Sequence, residues 1–186
     1  MQIEKLSKKQ VRAVYRASLR RDFPREERKP LFVILRSMRR GIYECYGLMQ
    51  GKEVVSYAFF VRQGNTYLLD YFATLSAHRN QGLGAQFLSL LCEQLCHADC
   101  VIGEVEDPAF AETQEDRQLQ TRRLQFYLRN GFVDTGLREK AFGVPFVLIE
   151  MSLGKEHSAQ WLDEIYHALY RCVLSEKWYH RGFPEG

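Results

Sequence analysis

The passage Tyr67-Leu68-Leu69-Asp70-Tyr71-Phe72-Ala73-Thr74-Leu75-Ser76-Ala77-His78-Arg79-Asn80-Gln81-Gly82-Leu83-Gly84-Ala85 constrains the fold more than any other in the chain. An aromatic and aliphatic run gives way to a polar loop. At Gly82 the period changes to that of a helix, residues 82–97, whose stripe Leu83, Phe87, Leu91, Leu95 faces a sheet. A further strand is predicted over residues 100–106, so strand, helix and strand form a crossover whose two strands run parallel. Upstream, residues 42–49, 53–61 and 66–74 are separated by Gln50-Gly51-Lys52 and Arg62-Gln63-Gly64-Asn65, which predicts an antiparallel meander.

The remaining elements follow from local signals. A short strand at residues 3–6 precedes Ser7-Lys8-Lys9-Gln10, a capping-box pattern that opens a helix ending before Asp22-Phe23-Pro24. Pro30 starts a second helix, residues 31–40, stopped by Gly41. Residues 115–130 form a helix stopped by Gly131, residues 132–135 and 144–151 are strands, and residues 157–177 form one amphipathic C-terminal helix. No repeat or Ser/Pro-rich linker divides the 186 residues, so one domain is expected.

Composition narrows the function classes. With 46% hydrophobic residues the chain is not disordered, and 26 Lys plus Arg against 23 Asp plus Glu leave a net charge of +3, too little to predict a nucleic-acid or membrane partner. The longest apolar run, Ala58-Phe59-Phe60-Val61, is far short of a membrane span of about 20 residues. MQIEKLSKKQ lacks the apolar core of a signal peptide, so a cytoplasmic protein is expected. Five cysteines argue against a disulfide framework. Cys92, Cys96, His97 and Cys100 invite a zinc reading, but helical spacing puts Cys92 and Cys96 on the stripe of Gly84 and Leu88 as small buried hydrophobes and carries His97 away; no metal is expected.

Arg79-x-x-Gly82-x-Gly84 at a helix start is an anion cradle, because glycines admit a ligand to the backbone and the helix's free N–H groups attract phosphate. A P-loop needs GxxxxGK[ST], which is absent. A dinucleotide fingerprint needs a third small residue where Phe87 stands, although Glu104 and Glu106 lie at a suitable distance. Glycines that only make a tight strand-to-helix turn are the plain alternative.

A second motif, Arg123-Leu124-Gln125-Phe126-Tyr127-Leu128-Arg129-Asn130-Gly131-Phe132, lies about 45 residues on, across one strand. Arg-x-x-Gly-x-Gly opening one helix and Phe-Tyr-x-x-x-Gly-Phe closing the next resemble the GNAT superfamily of acyl-CoA-dependent N-acetyltransferases, over residues 42–151. Glu104-Val105-Glu106-Asp107-Pro108 and Phe142-Gly143-Val144-Pro145 resemble an uncharacterised bacterial subgroup of it. The resemblance implies an α/β fold with a mixed, mostly antiparallel seven-stranded sheet, splayed in the middle and flanked by helices, with an appended C-terminal helix. A bulge near residues 72–74 and the splay would receive acetyl-CoA. By motif position Arg79, Asn80, Gln81, Gly82, Leu83, Gly84 and Ala85 would hold its pyrophosphate. Phe72, Ala73 and Thr74 would line the thioester arm, and an N–H near Phe72 or Ala73 would polarise the thioester carbonyl.

Phe126 would also meet the cofactor, and Gln120 stands where many members have an asparagine that contacts it. Tyr127 matches the tyrosine that protonates the departing thiolate in many members, with an interfacial packing role as its alternative. Among the carboxylates bordering the splay, Glu104 is the expected base, ahead of Glu106 and Asp70, with Asp70 on the face of Phe72 and Thr74 before any bulge. Residues 23–30 are placed where such folds build the acceptor wall, and their mixed charge suits a polar acceptor. The expected reaction is direct acetyl transfer from acetyl-CoA to a primary amine of a small molecule or peptide, without a cysteine intermediate. A non-catalytic acyl-CoA-binding domain and an interaction module, whose C-terminal helix with Trp161, Tyr166, Tyr170 and Trp178 packs on a partner or a second copy, remain as alternatives.

Overall fold

Seven strands form one sheet in the computed structural model, which describes residues 1–25 and 27–184. In chain order the elements are β1 (Gln2–Lys5), α1 (Lys8–Val14), a π-helical turn (Tyr15–Leu19), α2 (Arg20–Asp22), α3 (Leu31–Arg39), β2 (Tyr43–Gln50), β3 (Glu53–Gln63) and β4 (Thr66–Thr74). There follow α4 (Leu83–Gln94), β5 (Cys100–Glu106), α5 (Gln114–Arg129), β6 (Phe132–Ala141), β7 (Val144–Met151), α6 (Ala159–Val173) and α7 (Glu176–Gly182). The strand order is β1-β2-β3-β4-β5-β7-β6, antiparallel throughout except for the predicted parallel pair of β4 and β5.

The central strand β3 shows why its sequence reads as an unbroken apolar run. Tyr57, Phe59 and Val61 point into one core while Val55, Ala58 and Phe60 point into the other, so both faces of the sheet are covered. Under α4 and α5, Leu83, Phe87, Leu91 and Leu95 pack on Tyr67, Leu69 and Val101, the stripe expected from the sequence. Under α1, α3 and α6, Val11, Val14, Ile34, Leu162 and Leu169 pack on Tyr57, Phe59 and Leu68. The capping box forms: Gln10 donates its backbone N–H to the Ser7 hydroxyl, and its side chain accepts from the Ser7 N–H at 2.9 Å.

Four expectations need correction. The C-terminal helix is two helices, because Leu174 and Ser175 are extended and Ser175 starts α7, which folds back so that Tyr179 and Phe183 pack on α6. Tyr166 and Tyr170 are therefore buried inside the chain rather than offered to a partner, whereas Trp178 stays exposed. β6 extends to Ala141, since the chain turns at Gly136 (φ +79°), where the Asp134 carboxylate accepts the Gly136 N–H, and then resumes pairing at Arg138. Finally, Cys92 is only half-buried within α4, and Cys96, beyond the end of α4 at Gln94, is exposed. Among the described residues no helix is long and apolar enough to cross a membrane.

Because Leu169 is fully buried between α6 and the sheet, Leu169→Ala is expected to lower the unfolding free energy by about 2–5 kcal/mol in urea titrations. A loss below about 1 kcal/mol would show that α6 is only appended to the core.

Candidate functional site

β4 and β5 are paired only from Thr66–Cys100 to Leu69–Gly103, although β4 runs on to Thr74 and β5 to Glu106. Beyond that point β4 stays bonded to β3, and β5 to β7, so the two strands part. The bulge lies at the fork itself and not at residues 72–74: Tyr71 opposes Phe59 and Leu69 opposes Phe60, leaving Asp70 as the extra residue, while residues 72–74 stay in register with β3. An inserted residue adds twist and bends β4 away from β5. It also reverses the alternation, so Asp70 and Tyr71 share the face of α3 and α6 and Phe72 takes the other. Asp70 is thus on the opposite face from Phe72.

The fork opens a cleft of about 1850 Å³ that reaches both faces of the sheet. On the α4/α5 side its wall is aromatic: Phe72, Phe126 and Tyr127 lie with ring centroids 5.4–6.1 Å apart. Tyr127 is 8% exposed and lines the cleft, and its hydroxyl makes no hydrogen bond among the described residues. Burial pushes that hydroxyl up to about 12, with Arg123 opposing, so it remains a proton donor at neutral pH.

The glycine loop is shaped as a helix start without a side-chain cap. Gly82 is left-handed at φ +75°, and the first turn's only bond runs from the Gln86 N–H to the Gly82 carbonyl, leaving the amides of Leu83, Gly84 and Ala85 uncapped. Gly84 serves packing, because a Cβ there would lie 3.2 Å from the Phe126 ring. Arg79 is already engaged: it donates to the Thr74 carbonyl at 3.0 Å and pairs at 2.8 Å with Asp22, which also accepts from Tyr57. Asn80, Gln81 and Gly82 are exposed. Gln120 does not line the cleft, yet its Oε1 is buried with no partner among the described residues.

On the α3/α6 side the wall is ionisable. Asp70 is held by Lys29 and the Tyr43 hydroxyl. Lys29 is fixed in turn, its N–H donating to the Tyr71 hydroxyl and its carbonyl accepting from Tyr15. Glu104 is hydrogen-bonded by Tyr166 and by Tyr170, the latter at 2.8 and 2.9 Å to its two oxygens. Burial raises Glu104 above the usual carboxylate range, while the two tyrosine donors and Lys29 oppose that rise. Glu106, at the rim, pairs with Arg123. Glu26, within the acceptor-wall segment 23–30, lies outside the described residues.

Glu104 and Tyr127, named from the sequence, both line this cleft, and so does Lys29 from the segment 23–30, though its pairing with Asp70 was not foreseen. Tyr71 and Tyr170 were not named as site residues, although Tyr166 and Tyr170 are one helical turn apart on the stripe of Leu162 and Leu169, a signal that they face inward. Cys172 is the one cysteine lining the cleft among the described residues, and burial raises its thiol. The four residues of the zinc reading do not gather; Cys100 instead lies beside Glu150 and His157.

No family model and no curated protein matches the sequence. Solved structures do. A GNAT-family protein from Bacteroides thetaiotaomicron superposes with a TM-score of 0.69 at 22% identity, covering 91% of this chain and 96% of that one. The ribosomal-protein-S18-alanine N-acetyltransferase of Escherichia coli gives 0.62 at 16% identity over 85% and 97%. The yncA protein of Salmonella typhimurium, solved with its cofactor acetyl-CoA, gives 0.59 at 19% identity over 86% and 96%. The chain has the GNAT fold. In GNAT terms the forked β4 and β5 are the splay anticipated from the motifs, here produced by a bulge at Asp70.

Because burial raises Glu104, its protonated form is favoured more in the folded than in the unfolded chain, so its contribution to stability is complete below the unfolded-state value of about 4.3 and is lost as pH rises through the folded value. Wild type is therefore expected to lose stability relative to Glu104→Gln across that window, in urea titrations at successive pH values. A difference independent of pH would contradict the burial argument.

Proposed function

We propose that this protein is an acyl-CoA-dependent N-acetyltransferase, acetyl-CoA giving its acetyl group to a primary amine in a ternary complex. The observation that carries the reading is the fork at Leu69 and Gly103, which places an uncapped helix start and a buried tyrosine on one face and a buried carboxylate on the other. Acetyl-CoA, when bound, supplies the acetyl group as a thioester.

The chain's residues fit that ligand. The uncapped amides of Leu83, Gly84 and Ala85, with Asn80, Gln81 and Gly82, form a cradle for a pyrophosphate. Phe72, Ala73 and Thr74, on the edge of β4 that has left β5, offer backbone groups to an extended amide-bearing arm and an N–H to a thioester carbonyl. Phe126 supports that wall, and Arg79 holds the loop against Asp22. The buried Oε1 of Gln120 gives that side of α5 an unused acceptor.

Proton movements are divided between the two faces. Glu104, raised by burial above its ordinary value, takes the proton of the attacking amine, and Tyr170 and Tyr166 hold its oxygens in place. Tyr127 gives its hydroxyl proton to the leaving sulfur. The N–C bond forms as the C–S bond breaks, and solvent restores both groups.

Calorimetry with acetyl-CoA, using NADH and ATP as controls, tests the cofactor: binding of acetyl-CoA alone is expected, and none in a folded protein overturns the reading. Gly82→Val, which forces a β-branched residue at φ +75°, should raise the acetyl-CoA Kd at least about tenfold. Tyr127→Phe should lower kcat by about 10²-fold or more while leaving the Kd nearly unchanged. Full turnover by that variant would return Tyr127 to a packing role.

A further inference from the structure

The charges lining the acceptor end of the cleft do not cancel. Its carboxylates are Glu27 and four engaged within the cleft: Asp22 by Arg79, Asp70 by Lys29, Glu104 by two tyrosines and Glu106 by Arg123. On the same wall, Arg36 and Arg40, the residue that ends α3, stand one turn apart, exposed and without an acceptor or ion pair among the described residues. Arg181 of α7 faces the cleft with its guanidinium on the Trp178 ring, at 5.1 Å. These arginines lie on the α3/α6 face of the sheet, opposite the uncapped start of α4, so a pyrophosphate at that helix start leaves them unused.

Beside them are three exposed aromatic rings of the cleft. Phe32 is 70%, Trp178 51% and Phe142 43% exposed. Phe142 also has a φ of +52°, a conformation a bulky side chain adopts only where its surroundings impose it. The imposition is visible: its N–H donates to the Gly182 carbonyl at 2.8 Å, and its ring lies so close to Gly182 that a Cβ there would sit 2.7 Å away. The β6–β7 turn and α7 are thereby locked so that an aromatic ring projects into the cleft.

We infer that the acceptor is an amine that also carries an anionic group, a carboxylate or a phosphate, joined to the amine by an apolar or aromatic body. Arginines lining a concave cleft attract such a group and bind it bidentately, and the three aromatic rings cover the body between. The same field repels polycationic amines. This inference rests on the acetyltransferase reading and adds the acceptor's class to it.

The test uses the full chain, acetyl-CoA and matched acceptors, with CoA thiol release as readout. One arm compares the peptide Ala-Phe-Phe-Asp-Asp with its Asn-Asn and Lys-Lys counterparts; the other compares aminoalkyl phosphates and ω-amino carboxylates of several lengths with the corresponding amino alcohols. In at least one arm the anionic member should exceed its neutral isostere about tenfold or more in kcat/KM, with the Lys-Lys peptide poorest, and added salt should erode the preference. Arg36→Gln with Arg40→Gln, and separately Arg181→Gln, should remove most of that preference through KM while leaving the acetyl-CoA Kd unchanged. All three arginines are exposed, so their replacement spares the fold. Equal use of anionic and neutral acceptors, preference for the cationic peptide, an intact preference in both variants, or no acetylation of any anionic acceptor by protein that binds acetyl-CoA would each overturn the inference and leave the cofactor assignment standing. Failure to bind acetyl-CoA would overturn both.

Discussion

Parallel strands that separate in mid-sheet must replace the lost ladder with something else, because backbone groups withdrawn from both partner and water cost free energy. Here β4 and β5 separate after Leu69 and Gly103 because Asp70 is inserted at that point and twists β4 off the common plane. The groups so exposed face an open cleft. That insertion turns Asp70 and Tyr71 toward α3 and α6, leaves Phe72 facing α4 and α5, and so gives the two sides of the fork different chemistry.

The ionisable side is stabilised as a unit. An unpaired carboxylate at the depth of Asp70 would be costly, and Lys29 resolves this by pairing with it. Since Lys29 is itself tied by backbone hydrogen bonds to Tyr71 and Tyr15, the loop preceding α3 is drawn over the fork. Glu104 is treated differently. Its close partners are two neutral phenols, which can donate to either protonation state's free oxygen, and burial therefore raises it without fixing it as an anion. Two carboxylates on one wall thus meet different neighbours, Asp70 an ammonium and a phenol, Glu104 two phenols.

Much of this was legible in the sequence, and the exceptions share a cause. The crossover, the meander, the stripe on α4 and the capping box are read from residues within a few positions of one another, and the structure has them. A bulge at Asp70 is not local, since it exists only in relation to Phe59 and Phe60 on the neighbouring strand. Nor is the engagement of Arg79, which reads as a phosphate ligand in its loop until α2 brings Asp22 to it from 57 residues away. The break between α6 and α7 was signalled by Ser175 followed by Glu176, a helix-start pattern masked by an amphipathic period that continues through it.

That break has a consequence for the cleft. A single straight helix would carry Trp178 and Arg181 outward along the axis of α6; the turn at Leu174 and Ser175 folds them back over the β6–β7 turn, where Phe183 packs against Tyr166 and Tyr170. The face of α6 that holds Glu104 through Tyr166 and Tyr170 is therefore the face that anchors α7. Packing of α7 and placement of the Glu104 carboxylate are one problem with one solution, so a substitution that loosens Phe183 should disturb Glu104 as well, although the two never touch.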